Sequence, residues 1–259
     1  MGVVNLSVDS FSGDGCAGDV ERAVALGLRL AEEGADLLDL GAESSRPGAA
    51  SISAEVELAR LLPVLERLLP CGLPISVDTV KPQVMRAACA AGAALINDIQ
   101  ALEAPGALAA AANCRAAVCL MHMQGRPATM QLQPSYGEVV QEVFDYLAQR
   151  LAAALAAGIG RERLLVDPGF GFGKTLEHNL ALLRNLDRFA ELGVPVLVGM
   201  SRKSMLGDIT GRPVDQRQYA SIAAAMLAAS RGANILRVHD VAATRDALAV
   251  QQAVNMDIP

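Results

Sequence analysis

Residues 73–98 read LPISVDTVKPQVMRAACAAGAALIND, and this stretch decides the fold. One apolar run, Ile75–Asp78, ends in a carboxylate, and a second, Ala94–Asp98, ends in an amide followed by a carboxylate. The residues between them follow a helical pattern that stops at Gly92, as helices commonly do. A strand, a helix and a second strand in this order predict a right-handed βαβ unit with parallel strands.

The same unit recurs along the whole chain of 259 residues. Glycine stands at other expected helix stops as well, at Gly34, Gly193 and Gly232. Eight strands in a chain of this length predict an α/β fold of the (β/α)8 class, a single domain over residues 1–259, because such barrels have ~250 residues. The predicted strands are Gly2–Leu6, Asp36–Leu40, Ile75–Asp78, Ala94–Asp98, Ala117–Met121, Leu164–Asp167, Val196–Gly199 and Ile235–Val238.

The composition excludes several classes of protein. Hydrophobic residues make up 52% of the chain and aromatic residues 3%, so the core must consist of Ala, Leu, Val and Ile, as in parallel sheets covered by helices. No stretch approaches the ~18 consecutive apolar residues of a membrane span. The net charge of −6 argues against a general nucleic-acid binder. No signal peptide is visible, so we expect a cytoplasmic protein.

The five cysteines are an odd number and include no C-x-x-C pair. This pattern favours small core residues in a reducing compartment over a zinc site or a disulfide framework.

Polar residues gather where the predicted strands end. The active site of a (β/α)8 barrel lies at the C-terminal ends of its strands, and each of the eight strands ends in, or is followed by, a polar group. Capping of the next helix explains any single case equally well, but eight cases together favour an active site. These groups are Asn5, Glu43, Asp78, Asn97 with Asp98, His122, Asp167, Ser201 to Lys203, and Arg237 with His239.

The acidic and amide groups predict a site for a nitrogen-rich heterocycle. Asp78, Asn97 and Asp167 supply hydrogen-bond acceptors and donors at the expected barrel mouth. A carboxylate accepts two adjacent N–H groups of an aminopyrimidine as it accepts those of a guanidinium.

The basic groups predict an anion site beside the heterocycle. Lys203, Arg237 and His239 follow the last two strands, where barrels frequently hold phosphate. Arg237 and His239 are two residues apart and so share one face of an extended segment. Arg46, in the long loop Gly41–Ser53, adds a further cation. Taken alone, Lys203 or Arg46 is more typical of a solvated surface charge, but the converging set favours an anion site.

Two other motifs carry weaker signals. The glycine-rich segment Asp167–Lys174 matches neither the dinucleotide nor the P-loop pattern. Its glycines permit close approach to a flat ligand, with Phe172 available to stack, although a tight strand–helix turn is the alternative. The segment Met121–Met123 has the residue types of a metal or redox site, but no second His or Cys is spaced to join His122, which favours a packed strand end.

Taken in order from Met1 to about Ala253, these motifs resemble the dihydropteroate synthases, a family of pterin-binding barrels. The resemblance rests on segments in every strand–helix loop: Asn5–Ser12, Gly41–Gly48, Ser76–Thr79, Asn97–Asp98, Leu120–Gly125, Asp167–Lys174, Ser201–Ser204 and Arg237–Asp240. It implies a transferase of folate biosynthesis that joins a dihydropterin pyrophosphate to 4-aminobenzoate and releases pyrophosphate.

The resemblance also implies a role for each candidate residue. Catalytic roles would fall to Asp78, Lys203, Arg237 and His239. The pterin would contact Asp78, Asn97, Asp167 and Lys203, in a slot shaped by Gly199, Phe172 and Met121 or Met123. Asn5 would contact Mg²⁺, Arg237 and His239 the pyrophosphate, and Ser45 and Arg46 the aminobenzoate and pyrophosphate.

The implied reaction is dissociative and needs no protein nucleophile. The C–O bond to pyrophosphate breaks first, and the aromatic amine then attacks the pterin cation, while the first loop, Ser7–Gly15, closes over the site. The family further implies inhibition by sulfonamides and a homodimer through the small-residue face of Tyr219–Ser230.

The chain departs from the family pattern in its loops. It has Ser7-Val8 in place of Thr-Pro, Ala42 in place of Gly, and Ser45 in place of Thr. Loss of Pro at position 8 is expected to loosen the first loop and to affect turnover and aminobenzoate affinity more than pterin binding. The chain also begins at the first strand, from which we expect a truncated start or a less covered barrel bottom.

Two alternatives to an active synthase remain open from the sequence. The first is a pterin-binding homologue that has lost synthesis, because of the altered loops. The second is a methyltetrahydrofolate-dependent methyltransferase of the same superfamily, against which the cations Lys203, Arg237 and His239 argue, since methyl transfer has no pyrophosphate to anchor.

Overall fold

Eight parallel strands form a closed ring at the centre of the fold. The structure is a computed structural model that describes residues 1–7, 16, 19–44 and 51–255. Strands β1 to β6 pair in chain order, and β7 pairs with β8. Two parallel bridges, Val166 with Val196 and Gly2 with Val238, join these two sheets at both edges. The predicted (β/α)8 barrel is confirmed.

Helices follow the strands and cover the outside of the ring. The strands are β1 (Gly2–Asn5), β2 (Leu38–Gly41), β3 (Ile75–Asp78), β4 (Leu95–Asp98), β5 (Ala117–Met121), β6 (Leu164–Asp167), β7 (Leu197–Val198) and β8 (Ile235–Leu236). The helices are α1 (Val20–Glu32), α2 (Ala54–Leu68), α3 (Pro82–Ala91), α4 (Ala107–Ala112), α5 (Val139–Ala156), α6 (Leu176–Arg184), α7 (Ser204–Thr210), α8 (Gln218–Ala229) and α9 (Val241–Asn255). Short 3-10 helices span Leu69–Cys71, Arg161–Arg163, Leu186–Leu192 and Val214–Gln216. Within the described ranges, no helix has both the length and the apolar character that crossing a bilayer requires.

The predicted strands lie where the sequence placed them, but several differ at their ends. Strands β1 and β4 are one residue shorter than expected, β7 and β8 are two residues shorter, and β2 is shifted. Strand β2 begins two residues later than expected and ends one residue later, at Gly41. Its pairing starts at Leu38, which lies opposite Gly2 on one side and Ile75 on the other. Asp36 instead lies at the surface, where its carboxylate pairs with Arg245 at 3.2 Å. Asp36 is therefore a surface residue in an ion pair and not the first residue of β2.

Glycine ends the helices as the sequence predicts. Gly34, Gly92, Gly193 and Gly232 have φ angles of +91°, +109°, +68° and +92°. L-residues with a Cβ rarely adopt this left-handed conformation, so glycine is the residue that stops a helix there at little cost.

Two-residue alternation along the strands separates an outer core from an inner one. Outward residues such as Leu38, Leu40 and Val77 belong to the main core beneath the helices. The inner cluster fills the lower interior of the barrel and contains Met1, Leu95, Cys119, Leu165 and Leu197. The predicted role of cysteine as a core residue is confirmed for Cys119 and Cys16, which are buried. The next inward residue of each strand is therefore free to carry function.

The outer core gives a direct test of this packing. Leu38 is 0% exposed between the ring of strands and the helices, and Leu132 is 76% exposed. We expect Leu38→Ala to lower the free energy of unfolding by about 2–5 kcal/mol, because it removes buried methyl groups and leaves a cavity. Leu132→Ala, measured in the same urea titration, should change it by less than about 0.5 kcal/mol. Equal losses for the two variants would contradict the assigned burial.

Candidate functional site

One residue from each of the eight strands lines a single cavity at the C-terminal mouth of the barrel. The cavity has a volume of about 340 Å³. Each of these residues is the last inward one of its strand or directly follows it, so the pleat itself aims them at a common centre. They are Asn5, Gly41, Asp78, Asn97, Met121, Asp167, Gly199 and Arg237.

Most of the predicted site residues meet in this cavity. Besides the strand-end residues, the lining includes Phe172, Lys203 and His239 from the following loops. Ser45 and Arg46 lie outside the described residues, as does Val8 of the first loop. The described candidates that line the cavity are Asn5, Glu43, Asp78, Asn97, Met121, Asp167, Phe172, Gly199, Ser201, Lys203, Arg237 and His239, whereas Asp98, His122, Arg202 and Met123 do not. Asp98 instead accepts hydrogen bonds from the backbone N–H groups of Gln100 and Leu102.

Met123 and His122 do not line the cavity. Strand β5 ends at Met121, and the chain turns away through Gly125, whose φ is +82°, which leaves Met123 half-buried outside the lining. His122 points outward between strand and helices, with its ring 4.9 Å from that of Tyr146 in an edge-on contact. Its inclusion among the residues at the mouth was wrong, and the packed strand end is the correct reading.

A buried ion-pair network holds Arg237 at the floor of the cavity. Its Nε donates to Asp39 at 2.6 Å, and a terminal nitrogen donates to Asp78 at 3.4 Å. Asp39 is the inward residue one layer below Gly41 and is 0% exposed. Because Asp39 fixes the inner edge of the guanidinium, Arg237 is held in one orientation at the mouth.

The buried groups at the mouth have shifted pKa values. Burial, together with the charge of Asp39, raises the pKa of Asp78 to about 7, although the charge of Arg237 opposes this shift. Burial also raises the pKa of Asp167. The pKa of Lys203 falls to about 8, chiefly through burial, against the attraction of Asp167. Titratable groups with such shifts in a cleft are typical of functional sites.

Lys203 contacts the glycine-rich segment Asp167–Lys174 and lies near the carboxylates of Asp167 and Asp78. Its Nζ donates to the carbonyl of Phe170 and lies 4.6 Å from the ring centroid of Phe172, over the ring face. A cation over an aromatic face is attracted by the ring quadrupole. The lysine and the ring thus form one wall of the cavity.

The loop after β7 is fixed by its neighbours. Arg202 has φ +59°, a left-handed conformation that is costly for a residue with a side chain. Its N–H donates to Ser221 at 2.9 Å, its carbonyl accepts from Arg217 at 3.1 Å, and its guanidinium pairs with Asp240 at 2.7 Å. The neighbouring Ser201 hydroxyl lies 2.8 Å from Nδ1 of His239. These bonds stabilise the strained turn that carries Lys203.

A second ion-pair cluster lies at the base of the loop that follows β2. Lys81, which precedes α3, contacts the carboxylates of Glu43 and Glu57. Glu57 is 1% exposed on α2, and Glu43 lines the cavity. The cluster therefore ties the start of the Gly41–Ser53 loop to two helices. Ala42, where the family pattern has glycine, is buried in the main core.

Asn5 is the residue that the sequence assigns to a metal. Its side-chain oxygen accepts from the backbone N–H of Ser7 at 3.0 Å and from the Ser7 hydroxyl at 2.7 Å. Among the residues that the structure describes, no group of three or more His, Cys, Asp or Glu side chains is arranged to hold a metal ion.

Comparison with known proteins gives the family. The model of the pterin binding enzyme family matches residues 1–239. The chain belongs to the pterin-binding enzyme family. The resemblance drawn from its strand-end motifs is confirmed.

Relatives in this family match the chain over nearly its full length. The chain is 49% identical to a dihydropteroate synthase of Haemophilus influenzae, covering 98% of this chain and 92% of the relative. A structure of the Xanthomonas albilineans dihydropteroate synthase with 4-aminobenzoic acid is 58% identical, with a TM-score of 0.93, over 100% of this chain and 93% of that one. The Yersinia pestis enzyme, solved with a sulfonamide drug complex, is 45% identical with a TM-score of 0.96, over 98% and 93%.

Several residues of this pterin-binding site escaped the sequence analysis. Asp39 lies within an apolar strand, where its two-residue spacing from Gly41 is the signal that places it inward. Gln131, whose amide donates to the carbonyl of Gly171, and Met130 enter the lining from the long segment before α5, which has no periodic pattern. Arg217 lines the cavity from just before α8.

The role of Asp39 is testable through the titration of Asp78. We expect Asp39→Asn to lower the pKa of Asp78 below its wild-type value of about 7, because a repelling charge is lost and Arg237 turns to Asp78 alone. The carboxyl carbon of Asp78, followed by NMR as a function of pH, reports the shift. Asp36→Asn, an exposed carboxylate just before the same strand, is the matched control and should leave the midpoint unchanged.

The sign of the accompanying stability change is fixed. The folded-state pKa of Asp78 lies above its unfolded value of about 4, so its ionisation reduces stability as the pH rises from about 4 to about 7. Asp39→Asn should therefore flatten that part of the stability profile. An Asp78 midpoint that stays at or rises above the wild-type value in Asp39→Asn would contradict the proposed coupling.

Proposed function

We propose that the protein is a dihydropteroate synthase, which transfers the pterin-methyl group of 7,8-dihydropterin pyrophosphate to 4-aminobenzoate and releases pyrophosphate. One observation supports this proposal above all. In a single cavity, the hydrogen-bonding groups that can bind a heterocycle lie beside the basic side chains that can bind pyrophosphate. The relatives that match nearly the whole chain carry this same name.

The pterin fits the side of the cavity that carries Asp78, Asn97 and Asp167. The side-chain oxygen of Asn97 is buried and has no hydrogen-bond partner among the described residues, which leaves an acceptor for a ligand N–H. Burial makes an unmade bond costly, so a ligand that supplies it gains affinity. In this proposal Lys203 binds the edge of the pterin ring, and the slot that holds the ring is formed by Phe172, Met121 and Gly199.

The pyrophosphate fits beside the pterin, against Arg237 and His239. Asp39 holds Arg237 from below, so its charge is presented without a rearrangement at the moment of reaction. Ser201 orients the His239 ring through Nδ1. Arg46, in our proposal, adds a cation from the second loop, and Ser45 contacts the aminobenzoate.

The proposed reaction follows from this arrangement. The bond between the pterin methylene carbon and the pyrophosphate oxygen breaks, and the electron pair leaves with pyrophosphate, whose charge Arg237, His239 and Lys203 stabilise. Asp78 and Asp167 stabilise the pterin cation that remains. The nitrogen of 4-aminobenzoate then bonds to the methylene carbon and loses one proton. The loops after β1 and β2 exclude water that would otherwise trap the cation.

The residues at the mouth fit a magnesium ion through one protein ligand. Mg²⁺ in phosphate sites takes one or two side-chain oxygens and completes its octahedron with waters and phosphate oxygens. Asn5 offers such an oxygen, with its Ser7 hydroxyl bond as the contact it would exchange. A bound Mg²⁺ would neutralise charge on the leaving pyrophosphate.

Three further proposals concern the domain organisation, the cellular location and the oligomeric state of the protein. The domain over residues 1–259, the cytoplasmic location and the homodimer are proposals from the sequence. For the dimer, α8 offers a half-exposed apolar side chain, Leu227, and the exposed ring of Tyr219.

A steady-state assay with dihydropterin pyrophosphate, 4-aminobenzoate and Mg²⁺ tests the function. We expect dihydropteroate and pyrophosphate in equal amounts. Arg237→Gln should lower kcat about a hundredfold to a thousandfold, because it removes a cation from the developing charge. Arg184→Gln, an exposed arginine of α6, is the matched control and should retain wild-type rates.

The same assay separates the alternatives. Binding of the pterin pyrophosphate in calorimetry without any product would identify a non-catalytic homologue. Methyl transfer from methyltetrahydrofolate to a corrinoid protein would identify the methyltransferase. Either result would overturn the proposed synthase.

Sulfonamides should inhibit this enzyme in competition with aminobenzoate. The Yersinia pestis relative was solved with a sulfonamide drug complex, and the chain matches it over 98% of its length. We expect sulfamethoxazole to raise the apparent KM for 4-aminobenzoate and to leave kcat unchanged. Full product formation at saturating drug and low aminobenzoate would contradict a shared subsite.

A further inference from the structure

A lysine lies buried beside the cavity without lining it. Lys174 is 3% exposed and follows the glycine-rich loop. Its Nζ lies 2.8 Å from the carbonyl of Gly169, 2.9 Å from that of Phe172 and 2.9 Å from Nδ1 of His122. Buried lysines usually pair with a carboxylate, but here the close acceptors are two backbone carbonyls and an imidazole nitrogen.

These three acceptors are enough for the three donors of an ammonium group, and the carbonyl oxygen of His122 lies further away, at 3.4 Å. Burial lowers the pKa of Lys174, and the negative charge of Asp167 opposes that shift by favouring the charged form. The pKa of His122 falls to about 3 through burial and the charge of Lys174, so its ring is neutral at pH 7 and Nδ1 accepts. The lysine is thus fully hydrogen-bonded where it lies.

The loop that Lys174 holds packs directly on the backbone after β5. Gly169 and Gly173 have φ angles of +71° and +62°. A Cβ at Gly169 would lie 1.9 Å from the carbonyl oxygen of His122, and one at Gly173 would lie 2.4 Å from that of Gln124. The two glycines therefore allow the contact, and Lys174 supplies the bonds that fix it.

The other face of this loop forms a wall of the pterin slot. Gly171 and Phe172 line the cavity, and the Phe170 carbonyl accepts from Lys203. The same loop thus has Lys174 on one side and Lys203 on the other. A displacement of its carbonyls moves Phe172 and the Lys203 ammonium together.

We propose that Lys174 is a positioning residue for pterin binding, which sets the Phe172 ring and the Lys203 ammonium through the carbonyls of Gly169 and Phe172. The inference rests on the proposed function, since it assigns the pterin to this slot. A lysine with a purely structural role would affect stability and leave substrate affinity unchanged.

Lys174→Met and Lys174→Gln test this role. Methionine keeps the length and burial but donates no hydrogen bond, whereas glutamine keeps two donors. We expect Lys174→Met to raise the KM for dihydropterin pyrophosphate and its Kd in calorimetry by about tenfold to a hundredfold, because small displacements of binding groups are costly. Lys174→Gln should retain part of the wild-type affinity.

Arg163→Met is the matched control. Arg163 also donates to backbone carbonyls, those of Ala111 and Ala116, but at the N-terminal end of β5. It should lower the melting temperature and leave the KM and Kd for the pterin unchanged. A folded Lys174→Met with wild-type KM and Kd, or with the same loss of affinity as Arg163→Met, would overturn the proposal.

His122→Phe extends the test if Lys174→Met does not fold. Phenylalanine keeps the aromatic contact with Tyr146 and removes one acceptor of Lys174, so the Kd should rise severalfold. An unchanged Kd in folded His122→Phe would count against the proposal. Failure of the proposed function is distinct, because wild-type protein would then form no dihydropteroate whatever the variants do.

Discussion

Eight parallel strands in a closed ring, whose side chains alternate between the inside and the outside, determine where both the core and the site of this protein lie. Parallel strands that start at one end of a barrel also finish together, and alternate side chains point to its axis. In this chain the lower inward layer is largely apolar, with Leu95, Cys119 and Leu165 among its members, and Asp39 is a buried charged residue in it. The upper layer places Asp78, Asn97 and Asp167 in one cavity. The same alternation of side chains along the strands therefore produces both the core and the site.

Buried charge at this mouth depends on layers of support behind it. Arg237 is paired with Asp39, and Lys203 donates to the carbonyl of Phe170 in the glycine-rich loop. The same loop is held in turn by Lys174, which donates to the carbonyl of Gly169. Each support satisfies a polar group that burial would otherwise make costly, and each fixes an orientation before substrate arrives. The cations can therefore face a pyrophosphate without first rearranging.

The sequence was sufficient for the groups whose position follows from the strand pattern, and insufficient where contacts cross between elements. Asp78, Asn97 and Asp167 end strands, so their convergence was predictable. Asp39 and Lys174 were missed because their partners, Arg237 and the carbonyls of a neighbouring loop, are distant in sequence or are backbone atoms. The resemblance offered Met121 or Met123 for the slot, and only Met121 lines the cavity, because β5 ends there.

The most direct test of a shared mouth is a crystal structure with a bound non-reactive dihydropterin pyrophosphate analogue. We expect the pterin ring to lie within hydrogen-bonding distance of Asp78, Asn97, Asp167 and Lys203, with the phosphate groups on Arg237 and His239. A pterin bound away from these strand ends, or phosphates that contact neither Arg237 nor His239, would contradict this expectation.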